Sequence, residues 1–328
     1  MLRPRLLLSC LVASACLLFR PSHPFAQSMS TEGDFDPVAV VDGIEISRAD
    51  CAKLEADNTA IWVDVGGRTA CIRYYAAGLK PAPASNRVGA IWMNGDVLGP
   101  NGRNADRRQS GFGPQYMIEL ERQLSNRFEV PSIYLGRPGT YGSSGKHYTT
   151  RGRPIEAQLI NAALDGIKRR YRIQTYALGG HSGGGTLVAE MLARRDDLQC
   201  AVISSGASAY RAYLEARGLL RPGDTPSRFD PYDSINSVPA SQTRRVFVIG
   251  DPRETNVHFS AQQLYFRGLR ERGHAAWLIP LERARDSRHH DLVDFGETAN
   301  LMCASGESTD RIIGALVNLP EPVPRRSN

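Results

Sequence analysis

Hydrophobic and polar positions change period several times along this chain, and each change predicts an element. Thr59 to Val65 and Ala70 to Tyr75 are apolar runs of strand length joined by Gly66-Gly67, which predicts an antiparallel hairpin. Val88 to Met93 is apolar throughout and stops at Asn94-Gly95, the pattern of a strand buried on both faces. From there strand and helix periods alternate. Pro131 to Leu135 predicts a strand, and Pro154 to Tyr171 a helix with Ile155, Leu159, Ala163 and Ile167 on one face. Ile173 to Leu178 predicts a strand, Gly184 to Arg195 a helix striped by Leu187, Val188, Met191 and Leu192, and Gln199 to Ser204 a strand. The series closes with a strand at Arg245 to Ile249, a helix at Ser260 to Arg272, a strand at Ala275 to Leu281 and a helix at Arg311 to Leu319. Such alternation predicts an α/β fold, a mainly parallel sheet with helices on both faces.

Two kinds of segment interrupt the pattern. Gly206 to Arg244 is rich in Arg, Pro, Asp and Ser, too long for a plain connection and too polar for core, so a small cap over residues 206–244 is expected. The ends are the other kind. Met1-Leu2-Arg3-Pro4-Arg5 precedes an apolar run from Leu6 to Phe19 and then breakers at Pro21 and Pro24, a secretory leader over residues 1–26. The apolar run is shorter than the roughly 20 residues that a membrane span requires, so no stable span is expected. Ala13-Ser14-Ala15-Cys16 has some likeness to a lipoprotein cleavage box, but apolar Leu17-Leu18-Phe19 follows where a polar tether belongs. Residues 27–58 are expected as an N-terminal extension, 59–319 as one domain and 320–328 as a Pro-rich tail, with no repeat or Gly/Ser linker to divide them.

Composition adds limits. The 328 residues are 41% hydrophobic and 23% charged, ordinary for a globular domain. The formal charge of +6 includes Arg3, Arg5 and Arg20 of the leader, which leaves +3 once it is cleaved. The remaining arginines are scattered, as at Arg107-Arg108, Arg169-Arg170 and Arg194-Arg195, and no nucleic-acid motif accompanies them, so no nucleic-acid partner is expected. Beyond the leader lie Cys51, Cys71, Cys200 and Cys303. In an oxidising compartment four cysteines allow three pairings; Cys51 with Cys71 and Cys200 with Cys303 is the expected one, with free buried thiols as its alternative. No Cys/His spacing suggests a metal.

The chemistry concentrates where the strand Ile173 to Leu178 gives way to the next helix. Gly180-His181-Ser182-Gly183-Gly184 has the pattern of a nucleophile elbow, a strained turn that lifts Ser182 above the sheet edge and that only small flanking residues permit. With Gly this frequent, the pattern gains its meaning from its place between strand and helix. A serine hydroxyl is a weak nucleophile at neutral pH, so it needs a histidine base and an acid to fix the imidazole's tautomer. In the α/β-hydrolase fold these follow in the order Ser, acid, His. After the strand Arg245 to Ile249 come two acids, Asp251 and Glu254, and after the strand Ala275 to Leu281 come His289 and His290, of which His290 is preferred. His147 precedes the nucleophile, His181 lies inside the elbow, and His258 and His274 flank a helix. An oxyanion hole should use the backbone N–H of Gly183 and that of Asp96, or of Gly95, in the loop after Met93. The Asp96 carboxylate is expected to point away from the oxyanion. Gly139 to His147 has a superficial likeness to a phosphate loop, but Thr140 and His147 stand where Gly and Ser/Thr are needed; it is expected to line the pocket wall instead.

Gly250-Asp251-Pro252-Arg253-Glu254-Thr255-Asn256-Val257-His258-Phe259 resembles the acid loop of the prolyl-oligopeptidase-type and dipeptidyl-peptidase-type serine hydrolases. Gly184 and the His290-Asp291-Leu292 segment are similar as well, and the resemblance spans about Thr59 to Leu319. In that family the catalytic Asp stands three residues before the Val, so the resemblance implies Glu254 as the acid. Two features differ: Glu replaces Asp, and no propeller domain is read ahead of the hydrolase domain. Because the propeller limits the oligopeptidases to short peptides, the resemblance implies the reaction more than the substrate. The expectation is an exported serine hydrolase that needs no cofactor and acts on a small ester or short peptide. An acyltransferase with the same residues and a catalytically inactive binding protein of the same fold are the alternatives.

Overall fold

The structure is a computed structural model that describes residues 33–99, 113–221, 224 and 226–319. The expected leader and tail, and the Arg107-Arg108 pair, lie outside the described residues. In chain order the elements are α1 (Pro37–Asp42), α2 (Arg48–Ala56), β1 (Ala60–Val65), β2 (Arg68–Ala77), β3 (Asn86–Met93), α3 (Pro114–Phe128), β4 (Ser132–Leu135), α4 (His147–Thr150) and α5 (Pro154–Tyr171). They continue with β5 (Ile173–His181), α6 (Gly183–Leu192), β6 (Leu198–Ser204), α7 (Tyr210–Ala216), β7 (Arg245–Gly250), α8 (Phe259–Glu271), β8 (Ala276–Pro280), α9 (Val293–Ser305) and α10 (Thr309–Asn318).

The strands form one eight-stranded sheet in the order β1-β2-β4-β3-β5-β6-β7-β8. The β1–β2 hairpin and the β2–β4 pair are antiparallel, and every pair from β4 through β8 is parallel. This is the α/β-hydrolase fold. Strand side chains alternate between faces, and the two main cores follow that alternation. Ala201 and Ile203 of β6 and Val246 and Val248 of β7 join the core under α5, α6 and α8. Their neighbours Cys200, Val202, Phe247 and Ile249 join the core under α9 and α10. Burial on both faces explains why these strands read as unbroken apolar runs.

Some boundaries differ from the sequence reading. β5 runs three residues past Leu178 because Gly179, Gly180 and His181 continue the ladder to β6, opposite Val202, Ile203 and Ser204. The helix after Ser182 ends at Leu192 rather than Arg195. Helices α1, α2, α3, α4, α7 and α9 have no counterpart in that reading. Residues 206–244 carry α7 and one 3₁₀ turn, Ile235–Ser237. Their backbone is tied to the loop before α5 by Phe229 N–H donating to Gly152 O at 2.8 Å.

Disulfides join Cys51 to Cys71 and Cys200 to Cys303, the pairing expected from the sequence. The first ties α2 to β2, and the second ties β6 to α9. Among the described residues no helix is long and apolar enough to cross a membrane.

Candidate active site

Every candidate residue sits at the carboxyl end of the parallel strands. Ser182 occupies the turn between β5 and α6 with φ 53° and ψ −119°, a region that a side-chain-bearing residue adopts only under strain. Crowding around it explains the glycines. A Cβ on Gly180 would lie 2.5 Å from Gly184 C, and one on Gly184 would lie 2.5 Å from Asn94 O. The turn is held at both sides, by Ser182 N–H donating to Ser204 O at 2.8 Å and by Thr186 N–H donating to Ser182 O at 2.9 Å. Ser182 stays half-buried.

Glu254 and His290 are brought together. The loop after β7 carries Glu254 and the loop after β8 carries His290, and His290 Nδ1 is hydrogen-bonded to Glu254 Oε1. The carboxylate also accepts from Val257 N–H at 2.8 Å and from Gln262 Nε2 at 3.0 Å. Burial pushes the Glu254 carboxyl up to about 8, against the bonds from Val257 and Gln262, which favour the charged form. The carboxyl meets the imidazole at Nδ1, an arrangement suited to fixing one imidazole tautomer.

Of the two alternatives named from the sequence, Asp251 points elsewhere. Asp251 is fully buried, but its carboxylate accepts from Arg253 N–H at 2.9 Å, Arg253 Nε at 3.0 Å, Arg253 Nη2 at 2.8 Å and Ala284 N–H at 3.3 Å. It braces its own loop. His289 adopts φ 55°, and among the described residues its buried Nδ1 has no hydrogen-bond partner.

Several residues that the sequence reading did not single out shape the base. Asp286 Oδ1 accepts from the N–H groups of His290 at 2.6 Å and Asp291 at 2.7 Å, which closes the histidine loop into a tight turn. His290 O is hydrogen-bonded to His181 Nε2 and accepts from Ser205 Oγ, both at 2.9 Å. The His181 and His290 rings lie 4.7 Å apart between centroids. Burial, with His290 adjacent, lowers His181 to about 4, so its ring is neutral and its Nε2–H can serve as the donor.

The loop after β3 runs beside the nucleophile. A Cβ on Gly95 would lie 3.1 Å from Ser182 Cβ and 3.4 Å from His181 O. The Asp96 carboxylate is held beside Gly183 and turned onto buried Arg137. A Cβ on Gly183 would collide with Asp96 Oδ1 and would lie 2.6 Å from Arg137 Nη1. The reason is a buried cationic cluster: Arg137 Nη1 donates to Asp96 Oδ1 at 2.9 Å, Arg151 Nη1 donates to Asp96 Oδ2 at 3.1 Å, and Arg228 Nη1 lies 3.5 Å from Oδ2. Burial opposes the charge on Asp96, yet Arg137 and the cations beside it outweigh burial and hold the carboxyl well below its usual range. Arg137 is itself buried and also binds Glu156 at 2.9 Å. The Gly139–His147 loop packs here too, with His147 fully buried and lowered to about 3 by burial and by the Arg137 charge. Among the described residues no group of three or more His, Cys, Asp or Glu could hold a metal ion.

No family model matches the sequence, and no curated protein matches it. Comparison of the fold with solved structures gives acylaminoacyl peptidase in complex with Z-Gly-Gly-Phe-chloromethyl ketone, at a TM-score of 0.50 and 12% identity over 74% of this chain and 39% of that one. The acylaminoacyl peptidase of Pyrococcus horikoshii, in an orthorhombic crystal form, gives 0.50 at 9% identity over 82% of this chain and 42% of that one. Est1E from Butyrivibrio proteoclasticus gives 0.47 at 15% identity, over 79% of this chain and 98% of that one. This chain thus spans about two fifths of the peptidases it is similar to. At such identities the likeness to the two peptidase structures is one of fold, and it agrees with the α/β-hydrolase topology read from the strand order.

Proposed function

We propose that the protein is an exported serine hydrolase that cleaves an ester or amide bond through an acyl-enzyme on Ser182. The observation that carries this reading is the His290–Glu254 pair, built from the loops after β8 and β7, with His290 O bound to His181, the residue before a strained serine at the end of β5.

In the reaction, Ser182 Oγ attacks the substrate carbonyl carbon while His290 Nε2 takes its proton. Glu254 holds the other ring proton on Nδ1 and stabilises the imidazolium. The carbonyl oxygen becomes an oxyanion, which the backbone N–H of Gly183 and that of Asp96 or Gly95 stabilise. When the tetrahedral species collapses, the bond to the alcohol or amine breaks and His290 returns its proton to that leaving group. Water then enters, loses a proton to His290 and attacks the acyl carbon, which releases the acid and restores Ser182. The first N–H groups of α6 have no partner inside the helix, so Gly183 has a donor to offer.

Export through a leader over residues 1–26 is part of this proposal. Two disulfides support it, since such bonds persist mainly in oxidising compartments. Residues 206–244, tied to the loop before α5, are assigned as a cap on the hydrolase domain. A fluorophosphonate probe tests the central step: the purified protein should be labelled covalently and the Ser182→Ala variant should not. Equal labelling of the two would remove Ser182 as the nucleophile.

A further inference from the structure

Resting on the hydrolase reading, we propose that this site selects substrates that carry a carboxylate, and that Arg228 recognises it. Charge around Asp96 is out of balance. Arg137, Arg151 and Arg228 face two carboxylates, Asp96 and Glu156, while buried His147 is neutral. One positive charge is left over beside the nucleophile turn, in surroundings where an uncompensated ion is costly.

The surplus falls on Arg228. Arg137 is saturated by Glu156, Asp96 and Asn94 O, and Arg151 is held by Asp96, Leu98 O and Gly99 O. Arg228 has only the 3.5 Å ion pair to an Asp96 oxygen that Arg151 already uses, and the face of the Tyr210 ring 5.8 Å from its guanidinium carbon. Among the described residues its guanidinium donates no hydrogen bond. Its side chain keeps 28% of its exposure, so it can meet a ligand, and the five N–H groups of a guanidinium suit a carboxylate in a bidentate fork.

The side chain is also held in place. Its stem lies on Gly152, where a Cβ would come within 2.5 Å of Arg228 Cδ, and the next residue is bound to Gly152 O. Asp230, two residues on, accepts from the N–H groups of Tyr210 and Arg211 at 2.8 Å and fixes this part of the cap to α7. Asp96 Oδ1 lies against Gly183, the residue after the nucleophile, while Oδ2 lies 3.5 Å from Arg228 Nη1, which puts an anion on Arg228 on the Asp96 side of the nucleophile turn.

The test compares mono-4-nitrophenyl adipate with 4-nitrophenyl hexanoate, which share a chain length and differ by one terminal carboxylate. The wild-type protein should favour the adipate ester in kcat/KM by at least about 10-fold, the worth of one charge-assisted bond. In Arg228→Gln the ratio should fall to about 1 or below, and Arg228→Lys, which keeps the charge but loses the fork, should lie between. A wild-type ratio of 1 or less, or a ratio unchanged in Arg228→Gln, overturns the proposal. Calorimetry of monomethyl adipate on the Ser182→Ala protein separates this from the hydrolase reading. Binding that Arg228→Gln abolishes supports the carboxylate site even where neither ester turns over, and absence of binding refutes it. Loss of fluorophosphonate labelling at Ser182 would fall on the hydrolase reading alone.

Discussion

Replacing Glu254 by Gln should slow turnover of any accepted ester by about 10⁴-fold, or about 5.5 kcal/mol in the barrier, in a protein that still folds. One oxygen of the carboxylate, Oε1, meets both His290 Nδ1 and Val257 N–H, and the other accepts from Gln262 Nε2. A carboxamide has a single acceptor oxygen to divide among three donors. If its NH₂ turns to His290, the ring must accept at Nδ1 and carry its proton on Nε2, the nitrogen that has to take the proton from Ser182. If its oxygen turns to His290, the tautomer survives but the imidazolium formed on attack loses its buried counter-charge. Both orientations disable the base, whereas folding loses only one or two bonds, about 1–3 kcal/mol. Asp251→Asn is the matched control, because the Asp251 carboxylate serves Arg253 and Ala284 and not His290. That variant should lose about 1–3 kcal/mol of stability with turnover within about threefold of the parent. Initial rates on 4-nitrophenyl acetate and urea melts of both proteins provide the assay. Collapse of turnover in a folded Asp251→Asn protein, with Glu254→Gln nearly normal, would refute the assignment of the acid.

Two further predictions concern stability. His147 and His181 are buried and neutral, lowered to about 3 and about 4 from an unfolded value of 6.5, so below pH 6.5 the unfolded chain binds protons that the native state refuses. The histidines' share of stability is complete above that pH and should fall by about 2–3 kcal/mol per histidine between pH 7 and pH 4.5, while Glu254, raised to about 8, acts in the opposite direction over the same range. Urea melts across this range should show a smaller loss in His147→Gln, and an identical pH slope in parent and variant would contradict the account. The Cys200–Cys303 bridge closes 103 residues of chain against 20 for Cys51–Cys71. By loop entropy, replacing the first pair with Ala should cost more than replacing the second, by about 1.5 kcal/mol; the reverse order in urea melts would show that strain or burial governs instead.

The strand scaffold was legible because parallel strands buried on both faces are written as continuous apolar blocks, and the α5 stripe because it faces only one core. The elements that went unread lack those signatures. In α9, Phe295, Gly296, Ala299, Leu301 and Cys303 are buried together with Glu297 and Asn300, so almost no polar face remains to mark a helical period. Its polar residues do structural work that a sequence does not display: Asn300 Nδ2 donates to Ile91 O at 3.0 Å, across 209 residues. In α3 the buried row includes Glu121 and Ser125, and Glu121 is buried because its carboxylate accepts from Ser132 Oγ on β4.

The same distinction governs the candidate site. The nucleophile, acid and base named in advance follow β5, β7 and β8, where chain order alone tells which loop can carry each. The residues that set the charge around them have no such order. Arg137, Arg151 and Arg228 come from three separate connections, and in the sequence they resemble the other scattered arginines of a mildly basic surface. What distinguishes them is desolvation. An arginine on the surface is neutralised by water and salt, but Arg137 at 1% side-chain exposure must find carboxylates, and it draws Asp96 and Glu156 inward. Asp96 is then held beside Gly183, and its charge is already balanced before a substrate arrives. The consequence is electrostatic. A carboxylate beside an oxyanion would oppose catalysis, but a carboxylate bound by three guanidiniums is part of a net cation, so in the proposed reaction the loop after β3 would favour negative charge near Gly183 rather than repel it.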